Sequence, residues 1–194
     1  MLKNKITTHS MTEKKIILAL AGGLASGKGT VVKYLKEKYG ASTYRFSTML
    51  RDMLHRLYLP DSRENMQSIS TAIRQCFGED IIAKVMANDI ANDKNKIIAV
   101  DGVRRMMDIK YLAEMENFKL VRIVAGPKIR HKRIVVRKEN PDDAGKIYEQ
   151  FLEDHNKEAD AEIPMVMERA NLEINNSGSL ADLYKQVDQI ILNS

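Results

Sequence analysis

The feature that most constrains this chain is the run Gly22-Gly23-Leu24-Ala25-Ser26-Gly27-Lys28-Gly29-Thr30. The apolar stretch before it, Lys15–Ala21 (KIILALA), reads as a buried strand. The stretch after it, Thr30–Tyr39, carries Val31, Val32 and Leu35 at helical spacing and stops at Gly40, a helix terminator. Between them the run satisfies G-x-x-x-x-G-K. Glycines let backbone N–H groups turn inward around an anion. The helix N-terminus adds partial positive charge. Lys28 adds a full charge where the β and γ phosphates of a nucleotide would lie. The strand before and the amphipathic helix after favour this over a glycine-rich turn that merely starts a helix.

The rest of the chain alternates short apolar runs with longer amphipathic ones. Strands are expected at Ser42–Phe46, Lys96–Val100, Lys119–Val124 and Ala170–Ile174. Helices are expected at Met49–Leu57, over Asn65–Asn92 as two pieces broken near Gly78, and at Met106–Asn117, Lys128–Arg137 and Ala144–Asn156. A last helix starts at Ser179, with Asp182 at capping-box spacing. Strands separated by helices predict an α/β fold: a five-stranded parallel sheet with helices on both faces, three layers in all. Ligands of such sheets bind beyond the carboxyl ends of the strands.

Composition narrows the partners. The net charge is +5, but residues 1–15 hold Lys3, Lys5, Lys14 and Lys15 against Glu13, so the remaining body is close to neutral. That argues against a nucleic-acid partner and leaves room for a local basic cluster facing a small polyanion. No apolar run reaches the ~20 residues of a membrane-spanning helix. The head MLKNKITTHS lacks the apolar core of a signal peptide and reads as a disordered basic extension over residues 1–14, ahead of a single domain over 15–194. Cys76 is the one cysteine, which excludes an internal disulfide and a four-cysteine zinc site and suits a reducing cytoplasm.

The loop departs from the general pattern at Gly29, where Ser or Thr usually meets the metal. Its G-K-G-T form resembles adenylate kinase and the other nucleoside monophosphate kinases of the phosphate-loop kinase superfamily. The resemblance implies that Thr30 contacts nucleotide phosphate and meets magnesium only indirectly, through water. It extends over nearly the whole chain. Phe46-Ser47-Thr48-Met49-Leu50-Arg51 resembles the family's G-D-x-[LI]-[LI]-R stretch, with Arg51 at the arginine that grips the acceptor's phosphate and Ser47 and Thr48 replacing the Gly-Asp pair. Asp101-Gly102-Val103-Arg104-Arg105 closes a strand with an aspartate, an arrangement that orders magnesium or its waters. Its D-G-x-x-R spacing is similar to the family's and selects Arg105, while the related D-G-x-R pattern selects Arg104.

Arg74 stands in a segment, Ile73–Ile81, that resembles the arginine-plus-FG segment of deoxynucleotide monophosphate kinases and of an archaeal family resembling dephospho-coenzyme A kinase. It falls in an expected acceptor-binding insertion over residues 47–93, with Arg63 nearby. Arg133 and Arg137 share a helix face and resemble the R-x-x-x-R opening of a lid, here expected over 130–156. Lid arginines offset charge on the phosphoryl group in flight. The turn Asn176-Ser177-Gly178-Ser179-Leu180 resembles the closing N-x-G-S-L turn of dephospho-coenzyme A kinases, which puts Asn176 and Gly178 near the nucleotide base.

The resemblance implies an ATP- and magnesium-dependent kinase acting on a small phosphorylated acceptor, first a nucleoside or deoxynucleoside monophosphate. Dephospho-coenzyme A is the rival, since it offers a hydroxyl and needs a base, for which Asp101 is the candidate. A nucleotide-binding regulatory module without turnover is the reading from another class.

Overall fold

A central strand, β1 (Ile16–Ala21), organises the molecule, because its two sets of side chains seed two different cores. The computed structural model describes residues 15–137, 145, 147–153 and 161–194, with the backbone alone at Arg137. The expected extension over 1–14, the polar break after Arg137 and both ends of the helix expected at 144–156 lie outside the described residues, and its described part is helical over Tyr148–Glu153.

The sheet runs β2 (Ser42–Arg45), β3 (Ile97–Asp101), β1, β4 (Phe118–Val124), β5 (Leu172–Asn175), with every pairing parallel. Ile17, Ala19 and Ala21 of β1 face a core with Phe46 of α2 (Phe46–Arg56), Ile82 and Ile90 of α4 (Ile81–Asn92) and Val166 of α7 (Ile163–Glu168). Leu18 and Leu20 face the opposite core, with Val31 and Leu35 of α1 (Lys28–Tyr39) and Leu183 and Val187 of α8 (Leu180–Leu192). A strand buried on both faces reads as a continuous apolar run, which is how KIILALA reads. The five-stranded parallel three-layer expectation holds. Among the described residues no helix is long and apolar enough to cross a membrane.

Three local expectations need correction. The segment Met106–Asn117 is two short 3₁₀ turns, Met106–Ile109 and Leu112–Glu114, rather than one helix. Asp108 is buried there and its Oδ2 accepts the backbone N–H groups of Arg104 and Arg105, pinning the chain as it leaves β3. Asn117, at φ 58°, then turns it into β4. Secondly, α2 begins at Phe46, so β2 ends a residue early. Thirdly, α7 was not expected; with six residues and a proline in its first turn, it shows no period to read.

Candidate functional site

The phosphate loop bridges β1 and α1 at the carboxyl edge of the sheet. Two of its glycines, Gly22 and Gly27, are there for space. A Cβ at Gly22 would stand 2.6 Å from Ser26 Oγ and 2.7 Å from the Ile123 carbonyl oxygen. At Gly27, which has φ 108°, a Cβ would stand 2.0 Å from Asn176 Nδ2. Gly29 has open space around its Cα, so nothing steric demands glycine where the general motif has Ser or Thr. Lys28 Nζ donates to the Gly22 and Gly23 carbonyls at 2.6 and 3.1 Å, folding over the loop it serves. Thr30 is half-buried in the first turn of α1.

Asn176 takes a structural place beneath the loop. Its backbone N–H donates to Val124 at the end of β4, at 2.7 Å. Its buried Nδ2 donates to the Ser26 carbonyl at 2.8 Å, and its own carbonyl accepts Arg133 Nη2 at 2.8 Å. Arg133 belongs to α5 (Pro127–Arg137), so one asparagine joins loop, sheet and α5. Arg130, on the same helix, donates to the Ala125 and Leu24 carbonyls at 3.1 and 3.3 Å and lies over the Phe151 ring of α6 (Tyr148–Glu153). Burial lowers its pKa. Gly178 stands ahead of the α8 cap, where a Cβ would meet Asp182 Oδ2 at 2.9 Å. The side chain of Arg137 lies outside the described residues. A cavity of about 370 Å³ opens beside the loop apex, with Leu24, Val124, Arg130, Ile163 and Met167 among its walls.

Asp101 closes β3 and is 6% exposed. Its Oδ2 accepts from Arg45 Nε and Nη2, at 3.0 and 2.6 Å. Among the described residues, three buried side-chain polar atoms lack a hydrogen-bond partner: Ser26 Oγ, Asp101 Oδ1 and Arg133 Nη1. All three belong to residues named above as site candidates. Buried polar groups are usually paired, so three orphans at one end of a sheet form a ready set of donors and acceptors. Asp101 Oδ1 and Ser26 Oγ are oxygens of the kind that suit a hydrated magnesium ion with nucleotide phosphate.

Within the segment expected to bind an acceptor, Arg74 lies on α3 (Arg63–Phe77), where it donates to Ser70 Oγ at 3.3 Å and to the Glu79 carbonyl at 3.0 Å. Its pKa is lowered by burial and then by the positive charge of Arg105, so the structure brings these two arginines within electrostatic reach. Asp108 and Glu162 offset part of that repulsion. The Asp108 carboxyl is itself pushed up by burial. Arg105 is half-buried, whereas Arg104 is exposed. Arg51 Nη1 donates to Ser47 Oγ at 2.7 Å, and its Nε lies 3.5 Å from Asp61 Oδ2. Arg63 is exposed at the start of α3.

Sequence reasoning missed Arg45 and Glu162. Arg45 shows no signal alone, but the parallel register sets it opposite Asp101. Glu162 Oε2 accepts the Met106 N–H at 3.0 Å from a segment with no readable pattern.

Comparison with known proteins agrees with this fold. A UPF0200 protein of Staphylothermus marinus is 28% identical over 178 residues, covering 92% of this chain and 92% of that protein. A UPF0200 protein of Pyrococcus abyssi is 28% identical over 181 residues, covering 91% and 95%. Among solved structures, shikimate kinase from Bacteroides thetaiotaomicron matches with a TM-score of 0.59 at 14% identity, over 92% of this chain and 99% of that one. Shikimate kinase from Acinetobacter baumannii, in complex with shikimate, matches at 0.56 and 16%, over 93% and 95%. At such identities the structures speak for the fold alone. A family model described as an AAA domain matches residues 21–144, more than half of the chain. The chain therefore belongs to that family, and its fold is that of the phosphate-loop kinase superfamily.

Proposed function

We propose that this protein transfers the terminal phosphoryl group of ATP to a small acceptor that already carries phosphate, most simply a nucleoside or deoxynucleoside monophosphate. The observation that carries this reading is the trio of orphaned buried atoms, Ser26 Oγ, Asp101 Oδ1 and Arg133 Nη1, around a loop that already holds Lys28. A glycine-rich turn serving only the fold has no reason to leave a carboxylate oxygen, a hydroxyl and a guanidinium nitrogen buried and unpaired.

The roles follow from charge and place. The loop amides from Gly22 to Thr30 and Lys28 hold the donor's phosphates. Asp101, through Oδ1, holds water of a magnesium ion, which when bound neutralises phosphate charge. Arg133 and Arg137 offset charge on the phosphoryl group in flight. Arg74 and Arg105 take the acceptor phosphate. Two guanidinium groups close enough to depress the pKa of one are relieved by an anion between them, and their planar forks match phosphate oxygens. Arg51 and Ser47 extend that acceptor site along α2. The cavity of about 370 Å³ beside the loop apex falls at the lower end of the ~300–1,000 Å³ typical of small-molecule sites.

A nucleophile that is already a phosphate oxyanion needs no general base. The stretch Phe46–Thr48 after β2 offers no carboxylate, which favours such an acceptor over a ribose hydroxyl. The test is ADP release from ATP with magnesium across a panel of nucleoside monophosphates, deoxynucleoside monophosphates and dephospho-coenzyme A. Release with one of the monophosphates is the expected result. Release with dephospho-coenzyme A alone moves the assignment to a hydroxyl acceptor. Tight ATP binding without release for any acceptor points to a regulatory module.

A further inference from the structure

Arg45 is the last residue of β2 and stands in register with Asp101, the last residue of β3. Both of its contacts go to one oxygen: Nε and Nη2 donate to Oδ2 at 3.0 and 2.6 Å, while Oδ1 is buried and receives nothing. The pair is lopsided. The Asp101 side chain is 9% exposed and that of Arg45 is 50% exposed. The stem of Arg45 lies near Gly102, whose Cβ, if it had one, would stand 3.7 Å from Arg45 Cγ. A carboxylate on its terminal torsion has a broad, two-fold rotor. Two donors on one oxygen stop that rotor and decide which oxygen is left open.

We propose that Arg45 is a positioning residue for Asp101: it anchors Oδ2, presents Oδ1 to the hydrated cation of a bound nucleotide, and so sets how much magnesium nucleotide binding requires. The proposal rests on the phosphotransfer reading of the site. It also sharpens the acceptor's chemistry. With Oδ2 held by Arg45 and Oδ1 turned to a metal-bound water, the Asp101 carboxylate is committed to the cation, which disfavours it as a base for an acceptor hydroxyl. That favours an acceptor that brings its own oxyanion, as a monophosphate does.

The experiment measures binding of a fluorescent ATP analogue to the full chain, in EDTA and along a magnesium titration, for wild type, Asp101→Asn, Arg45→Ala, Arg45→Gln and Arg45→Lys. Residues that orient a metal's partners typically cost 10–100-fold in metal affinity when removed. Arg45→Ala and Arg45→Gln are therefore expected to need about 10–100-fold more magnesium to reach the same nucleotide affinity. Affinity in EDTA should match wild type, because the loop and Lys28 are intact. Arg45→Lys, with a point charge in place of the fork, should recover part of the shift. An unchanged magnesium midpoint in Arg45→Ala overturns the proposal. So does a loss of affinity in EDTA, which would mean that Arg45 shapes the loop instead. Should Arg45→Ala fail to fold, Arg45→Gln decides by the same two criteria. If wild type and Asp101→Asn bind nucleotide with no response to magnesium, the magnesium role of Asp101 in the phosphotransfer reading fails first, and Arg45 falls with it.

Discussion

The two sides of the site are built to different standards. On the proposed donor side the loop is tied down from several directions. Asn176 holds the Ser26 carbonyl, Arg130 holds Leu24, and Lys28 holds Gly22 and Gly23. Beneath it α1 is fastened to α8: Asp188 accepts from Tyr34 and Tyr39 and pairs with Lys38 at 2.7 Å, and the Tyr34 and Tyr184 rings stack. On the proposed acceptor side, α3 has no fully buried residue although its apolar positions recur at helical spacing. Its last residue, Phe77, and the nearby Leu57 and Tyr58 are 70%, 59% and 91% exposed. A phosphate cradle gains from being preformed, since reorganising it during transfer would raise the barrier. A proposed acceptor lobe with few buried contacts belongs to the low-stability end of the structure, where elements that adapt to a ligand are found.

The contrast can be broken most sharply at Lys28. Lys28→Ala should lower phosphotransfer by about 10²–10³-fold, the usual cost of a lost charge or donor at a transition state. Melting temperature should change little, because the Lys28 contacts to the Gly22 and Gly23 carbonyls are only part-buried. Turnover like wild type, measured by coupled ADP release, would contradict the donor assignment.

Next in size is a pair of arginines, one from each side. Loss of a charge-assisted hydrogen bond costs about 1.5–3 kcal/mol, or roughly 10–100-fold. Arg137→Ala should spend that loss on kcat, because a lid arginine acts in the transition state. Arg51→Ala should spend it on the acceptor KM. Steady-state kinetics on both variants separate the sides, and the reverse pattern would mean that the two have been exchanged.

Asn176→Ala tests preorganisation alone. It strands the buried Ser26 carbonyl and removes the Arg133 contact to Oδ1, at a cost of about 1–3 kcal/mol. Thermal unfolding should register a drop of a few degrees, with weaker nucleotide binding in parallel. Unchanged melting and binding would show that the loop holds its shape without the tie.

The smallest effect concerns pH. Lys38 first, then Tyr39 and Tyr34, hold the Asp188 carboxyl below the usual carboxylate range. A carboxylate with a lowered folded pKa stabilises the fold above its unfolded value of about 4, and loses that contribution as pH falls through the lowered one. Lys38 is raised by the same contact, so its share persists at neutral pH and fades only at strongly alkaline pH. The difference in Tm between wild type and Asp188→Asn should therefore be present at pH 7 and shrink below about pH 4. A difference that stays constant through that window would rule the ion pair out as its source.

How much of this was legible beforehand follows the same divide. The strands, the loop and α1 were readable because each obeys one local rule: an apolar run, a glycine pattern, a helical period. Asp101 was readable from its place at a strand end. Arg45 was not, since its partner is 56 residues away in sequence and only the register of two parallel strands makes them neighbours. The helix expected at Met106–Asn117 failed because Asp108 captures two backbone N–H groups and tightens the turn. The contact of the Asn176 side chain with the Ser26 carbonyl was not readable, since it depends on β5 ending beside β4. Helix α7 has too few residues to show a period.

Mass analysis of the acceptor pool goes straight to the chemistry. Wild type and Lys28→Ala are each incubated with ATP, magnesium and a mixture of nucleoside and deoxynucleoside monophosphates, and the acceptors are weighed before and after. The proposed function predicts that wild type adds one phosphoryl group to one member or one small set of the mixture, with ADP formed in equal amount, and that Lys28→Ala leaves the mixture almost unchanged. An untouched mixture with wild type protein that has bound ATP would contradict it.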